Sequence, residues 1–273
     1  MSTLKSLLVH VDASPQAAVR LQLAEQLALA HGAQATAIYA VVSALLRYPM
    51  AMAAGGDMAP MLAEVDQQRL EAARKRYAET VKPAHVAWLE CSGQPIADVA
   101  QQAFYADLLV LGQRGADENR DVDVPADFVS SVLIASGRPA IVLPHIATAP
   151  AKLERVLIAW KPTRESARAV TAALPILQQA RKVTVASFDE GEEAAAEAGI
   201  LGYLRQHGVQ ASFKRAVASK AEVGEQLLSL AADEQADLLV MGCYGHGRAR
   251  EWVLGGASRT VIASMTIPVL MSH

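Results

Sequence analysis

The residue types best suited to chemistry in this chain of 273 residues are gathered in Gly242-Cys243-Tyr244-Gly245-His246-Gly247 and Gly255-Gly256-Ala257-Ser258, which close a single loop. Glycines reach positive φ without a Cβ penalty, so consecutive amides at Gly245 and Gly247 can turn inward. A helix opening at Ser258 adds free amides and a positive dipole end, which makes the loop an anion receptor with phosphate as its expected ligand. Ser258 can cap that helix or donate its hydroxyl to a phosphoryl oxygen. His246, Arg248, Arg250 and Arg259 bring positive charge, and Glu251 offsets part of it. Met241 and Gly242 end the strand feeding the loop, and the missing side chain of Gly242 is expected to admit a ligand.

The elements that must position this loop occur twice. Ala106-Asp-Leu-Leu-Val-Leu-Gly112 recurs as Ala236-Asp-Leu-Leu-Val-Met-Gly242, an offset of 130, whereas the opening strands align Val11-Asp12 with Trp160-Lys161, an offset of 149. Two homologous domains follow, 1–147 and 153–273, joined by a short Ala/Pro/Thr linker. In the first, strands are expected at 7–12, 35–42, 86–90, 108–111 and 141–143, and helices at 16–31, 60–81 and 96–104. In the second, strands are expected at 156–160, 183–187, 211–217, 238–241 and 269–271, and helices at 164–180, 192–207, 221–233 and 258–264. Apolar strands alternating with amphipathic helices predict an α/β fold with a parallel sheet covered on both faces. The extra length of the first half falls mostly in 43–61, where Met50, Met52, Met58 and Met61 flank Gly55-Gly56. That stretch reads either as a lid over an apolar ligand or as a flap packed on a neighbouring helix.

Composition narrows the function. A net charge of −3 gives no support to a sequence-independent grip on nucleic acid, and 52% hydrophobic against 19% charged residues is globular. The longest apolar stretch, 37–46, is too short to insert in a membrane, and the N-terminus has no signal-peptide pattern. Cys91 and Cys243 have no metal-ligand or Cys-x-x-Cys spacing, so a reducing, cytoplasmic setting is expected. Cys243 reads as an oxidant sensor or as an inert buried thiol. The remaining histidines, His10, His31, His85, His145 and His207, read as packing or surface residues. No Gly-x-x-x-x-Gly-Lys-Ser/Thr, Gly-x-Ser-x-Gly or His-Glu-x-x-His pattern is present, so no catalytic residue and no metal-ligand set is assigned.

The spacing Gly242-x2-Gly245-x9-Gly255, placed between the fourth strand and the last helix, resembles the signature of the universal stress protein family, and the whole chain resembles its tandem form. The resemblance implies two five-stranded parallel-sheet domains, Rossmann-like and adenine nucleotide alpha hydrolase-like, with strand order 3-2-1-4-5. It implies ATP or another adenine nucleotide, accompanied by magnesium, held in the second half by Trp160, Lys161, Met241, Gly242, Gly245, His246, Gly247, Gly255, Gly256, Ala257 and Ser258. It also implies a stress-response role exerted through partners, an intrachain pseudo-dimer through strands 141–143 and 269–271, and a homodimer beyond it.

Two departures matter. Gly256 stands where nucleotide-holding relatives carry Ser or Thr, and Trp160-Lys161 stands where their first strand ends in Asp. Trp160 either stacks on a base or fills the space of one, and Lys161 either reaches a phosphate or is a solvated strand-end charge. In the first half Asp12 is retained, but Pro125 replaces the last glycine, and Asp117, Glu118, Asp121 and Asp123 are expected to repel polyphosphate, leaving that half structural or regulatory. A slow ATP hydrolase and a binder of apolar molecules or lipid under the 43–61 flap are the alternatives.

Overall fold

The structure is a computed structural model that describes residues 3–48, 58–91, 93–115, 123–188, 193–216, 222–243 and 256–273. It divides into two compact bodies, one of Leu4–Arg138 with His145–Pro150 and the other of Ala151–His273 with Pro139–Pro144.

The N-terminal body holds β1 (Ser6–Val11), α1 (Ala17–His31), β2 (Gln34–Tyr39), α2 (Ala44–Arg47), α3 (Met58–Thr80), β3 (Val86–Glu90), α4 (Pro95–Ala103), β4 (Leu108–Gly112) and α5 (Phe128–Ser136). Its strands run parallel in the order β3-β2-β1-β4. Strands covered by helices on both faces must be apolar on both, and Leu7, Val9, Val11, Leu108, Leu109, Val110 and Leu111 are all buried. Helix α5 was not expected from the sequence. Phe128, Val129, Val132, Leu133 and Ser136 are buried at helical spacing, but over a helix this short the exposed Ile134 and Ala135 blur that stripe in the sequence. It ends on Gly137, whose φ of 61° is the left-handed cap that lets its amide reach Leu133 O. The 43–61 region is partly helical: Met58 and Met61 lie on α3, 40% and 61% exposed. Met50, Met52, Gly55 and Gly56 lie outside the described residues.

The C-terminal body holds β5 (Ala140–Leu143), β6 (Arg155–Ala159), α6 (Arg164–Leu177), β7 (Lys182–Ser187), α7 (Glu193–Gln206), β8 (Ser212–Arg215), α8 (Val223–Asp233), β9 (Leu238–Gly242), α9 (Gly256–Ser264) and β10 (Val269–Ser272). Its order is β8-β7-β6-β9-β10-β5, the expected 3-2-1-4-5 of the second repeat with one strand added. That strand, β5, comes from the first repeat and pairs antiparallel with β10, Ile141 opposite Leu270, so this sheet is mostly rather than wholly parallel. Both pairing surfaces are apolar and buried. The far edge, β8, is a short charged strand, which guards it against further pairing.

Strand registers verify the internal repeat. Leu7 pairs with Leu108 in the first half and Val156 with Leu238 in the second, which reproduces the sequence offsets of 149 and 130.

Candidate functional site

In an open parallel sheet the carboxyl ends of the strands face the ligand crevice. In the N-terminal body that crevice lies between Asp12, just past β1, and Gly112, the last residue of β4. Helix α1 starts after Ser14-Pro15 and puts Arg20 on its buried side, only 3% exposed. The Arg20 Nε donates to His10 O at 2.9 Å, and Nη2 lies 2.7 Å from Asp12 Oδ1. A Cβ on Gly112 would collide with the Arg20 guanidinium, so this glycine is bare to make room for an arginine of the chain itself. Burial by itself would raise the Asp12 pKa, but Arg20, His10 and the Ser14 hydroxyl and amide hold it down at about 2. The remaining space is a cavity of about 70 Å³, lined among others by Ser14, Gln16, Gln113, Arg114, Gly115 and His145. Ligand pockets for molecules of nucleotide size are several-fold larger, roughly 300–1,000 Å³.

Asp123 belongs to the same crevice, and its role differs from the expected repulsion. Its carboxylate is ion-paired with Arg69 of α3 and accepts the Ala13 amide at 3.0 Å, while its carbonyl accepts the Val42 amide at 2.8 Å. Its charge is thus spent on tying the strand ends of β1 and β2 to the segment before α5. Asp117, Glu118 and Asp121 lie outside the described residues. His10 is fully packed against Phe128, with ring centroids 4.6 Å apart, and its Nε2 donates to Ala40 O at 2.8 Å. Burial pushes its pKa down to about 4, so it is neutral at pH 7 and serves packing.

In the C-terminal body the ends of β6 and β9 are neighbours, with Ala159 opposite Met241, which brings Trp160 and Gly242 side by side. Met241 is buried in the core at 5% exposure, opposite Met271 of β10. Trp160 extends the β6 ladder by donating its amide to Ala186 O at 2.8 Å, and the Nε1 of its half-buried indole has no hydrogen-bond partner among the described residues. Lys161 is exposed and its carbonyl accepts the Thr163 amide. Ser258 is buried in the first turn of α9, whereas Ala257 is half-buried and Gly256 is exposed. Gly245, His246, Gly247 and Gly255 lie outside the described residues, as do Arg248, Arg250 and Glu251.

Gly242 departs from the expectation that its missing side chain admits a ligand. A Cβ there would fall 2.5 Å from Ser166 N, 2.6 Å from Glu165 C and 2.9 Å from Glu165 Cβ, so the glycine admits the first turn of α6. That turn is capped by Thr163, whose hydroxyl accepts the Ser166 amide at 3.3 Å. Glu165 is 4% exposed and its carboxylate is ion-paired with Arg164. Cys243 is 2% exposed, and burial first, with the charge of Glu165 second, pushes its thiol up to about 12. Burial therefore favours the protonated thiol, the state that the inert reading of Cys243 expects.

Sequence reading missed Arg20 and Glu165. The available signal was a charged residue one or two positions off the apolar stripe in the first or second turn of each helix following an opening strand. Among the described residues no His/Cys/Asp/Glu cluster could hold a metal ion, and no helix is long and apolar enough to cross a membrane.

A model of the universal stress protein family matches residues 3–123 and 177–273. The unmatched stretch between them contains β6 and the first turn of α6, where Trp160, Lys161 and Glu165 stand. No curated protein matches the chain. Among solved structures, a universal stress protein from Archaeoglobus fulgidus DSM 4304 is similar over 98% of this chain and 95% of its own, with a TM-score of 0.73 at 16% identity. A functionally unknown protein from Pseudomonas aeruginosa PAO1 covers 98% of this chain and 92% of its own at 14% identity and a TM-score of 0.59. A putative universal stress protein from Pseudomonas aeruginosa UCBPP-PA14 covers 98% and 93% at 15% identity and a TM-score of 0.58. At these identities the likeness is one of fold.

Proposed function

This chain belongs to the universal stress protein family, and from that premise we propose that it is a cytoplasmic stress-response binding protein whose C-terminal half holds an adenine nucleotide and whose output is a partner interaction. The observation that carries the reading is the fate of one helix position. Arg20 fills the N-terminal crevice, and the offset of 149 puts Ala169 in its place on α6, fully buried and too small to fill anything. Among the described residues, the position that carries the filling arginine in the first half carries only a methyl group in the second, whose strand β9 leads into the glycine loop. The indole of Trp160 at the end of β6, whose Nε1 has no hydrogen-bond partner among the described residues, supports a flat ring stacked there, with the polyphosphate assigned to the amides of the loop and its magnesium to the phosphate oxygens.

The domains in this reading are 1–147 and 153–273. The antiparallel pairing of β5 with β10, the fifth strand of each repeat, supports an intrachain pseudo-dimer, and a homodimer would use other surfaces. Cys91 and Cys243 are both free, in keeping with a reducing compartment. Native purification followed by mass spectrometry of the extracted small molecules tests the proposal. An adenine compound at a stoichiometry near one per chain is expected, and calorimetric silence toward adenosine, AMP and ATP at millimolar concentration would sink it.

A further inference from the structure

The sheet of the N-terminal body ends on β3, and the alternation of a parallel ladder decides which main-chain groups of that strand are already used. The Cys91 amide donates to Tyr39 O at 3.0 Å, so Ala87, Leu89 and Cys91 turn their main chain toward β2, while Val86, Trp88 and Glu90 turn theirs outward. Val86 is closed off by its own body: its amide donates to Lys82 O at 3.1 Å, and its carbonyl accepts the Tyr77 hydroxyl of α3. Among the described residues nothing bonds the N–H or C=O of Trp88 or Glu90, which leaves two donors and two acceptors in a row on the edge. Native sheets protect such edges with charge, a proline or a covering element. Strand β3 has no proline, and its one charge, Glu90, is neutralised by Arg74 of α3, whose Nε and Nη2 donate to it at 2.7 and 2.9 Å. The internal repeat supplies the contrast. His10 pairs with Ile38 and Ile38 with Leu89, just as Ala159 pairs with Ala186 and Ala186 with Lys214. The half-buried Leu89 thus stands where the guarded edge β8 carries a lysine.

We propose that the β3 edge is a homodimer surface, on which β3 of a second copy pairs antiparallel about a two-fold axis at Leu89. In that register Trp88 of each copy stands opposite Glu90 of the other, and every main-chain group left open on the edge finds a partner. Leu89 then meets its own counterpart and Ala87 meets Cys91, apolar against apolar, with no like charges face to face. A second copy is the occupant because the donors and acceptors of this edge complement themselves, so the contact closes and leaves neither copy with an open strand. An edge this short covers far less than the roughly 800 Å² per partner of a standard interface, so a weak dimer is expected, with a Kd on the order of 10–100 µM. The inference gives a surface to the homodimer of the reading above and is independent of the adenine ligand.

Analytical ultracentrifugation of the full chain from about 1 to about 300 µM, with amide exchange measured at both ends of that range, tests it. A dimer fraction that rises with concentration is expected, with the Trp88 and Glu90 amides exchanging at least about threefold more slowly at the high end. Leu89→Arg sets like charges face to face and is expected to stay monomeric up to about 300 µM. In a Cys91→Ser chain, Leu89→Cys is expected to form an intermolecular disulfide under mild oxidation, because opposed residues of a non-hydrogen-bonded antiparallel pair lie within disulfide reach. Ser212→Cys on the β8 edge, in the same background, is expected not to. The exchange and cross-linking measurements stay decisive even where Leu89→Arg fails to fold. A chain monomeric at about 300 µM, a dimer that Leu89→Arg leaves intact, or Ser212→Cys cross-linking as fast as Leu89→Cys overturns the proposal. Protection of the Trp88 and Glu90 amides only when another protein binds would give the edge to a foreign strand and overturn the second copy as its occupant. None of these measurements involves a nucleotide, so their failure leaves the adenine reading standing.

Discussion

Two glycines of equal standing in the sequence motif have opposite physical roles. Gly242 is pressed against the backbone of Glu165 and Ser166, whereas none of the described residues comes within 4 Å of where a Cβ on Gly256 would sit. Gly242→Ala is therefore expected to force α6 away from β9 and cost about 1–3 kcal/mol, while Gly256→Ala, at the start of a helix, is expected to be neutral or to stabilise by up to about 1 kcal/mol. Urea unfolding of both variants checks this, and equal effects would contradict the packing. At Asp12, removing the partner leaves a buried carboxylate alone. Arg20→Ala is expected to cost about 3–5 kcal/mol by the same measurement, and a loss below about 1 kcal/mol would show that the pair does not hold the N-terminal crevice closed. The chemistry-bearing residues were legible in part. Asp12 and the glycines stand out by type and spacing, whereas Arg20 and Glu165 are marked locally only as charges beside the apolar stripe of their helices, and which residues of a distant strand they meet is written in no short segment.

At the scale of elements, α8 is tied to the outer strands of its sheet by one carboxylate. Glu234, just past the helix end, accepts Lys182 Nζ of β7 at 2.6 Å and is also bonded by Lys214 of β8. These two bonds outweigh burial and lower its pKa from 4.5 to about 2. A carboxylate depressed in the folded state contributes stability that is complete above its unfolded value and lost as pH falls through the folded one. Stability is thus expected to decline between about pH 4.5 and 2, the window of Glu234, with Asp12 titrating in its lower part from 3.8 to about 2. Glu234→Gln should flatten that acid limb, measured as urea midpoint against pH, and an identical slope in the variant would refute the assignment. Most elements were legible because parallel strands are continuous apolar runs and their helices keep a 3.6-residue stripe. Helix α5 was not, since the exposed apolar Ile134 and Ala135 blur the short stripe of Phe128, Val129, Val132 and Leu133.

For the molecule as a whole, the first repeat gives its fifth strand to the body formed by the second. Ile141 is fully buried opposite Leu270, so Ile141→Asp places an unpaired charge inside the β5–β10 ladder. A loss of more than about 3 kcal/mol is expected, with amides of both β5 and β10 losing protection in hydrogen exchange. Loss of protection in β5 alone would mean that the two strands do not share one cooperative unit.

The sequence by itself determined the repeat, the order of strands and helices and the position of the glycine loop, because these follow from periodicity and spacing within each short segment. Only the tertiary structure decided what occupies the space at the strand ends. Arg20 and Asp12 fill the first crevice, and in the second half the first turn of α6 packs against Gly242, since those outcomes depend on which groups meet after the helices pack back on the sheet.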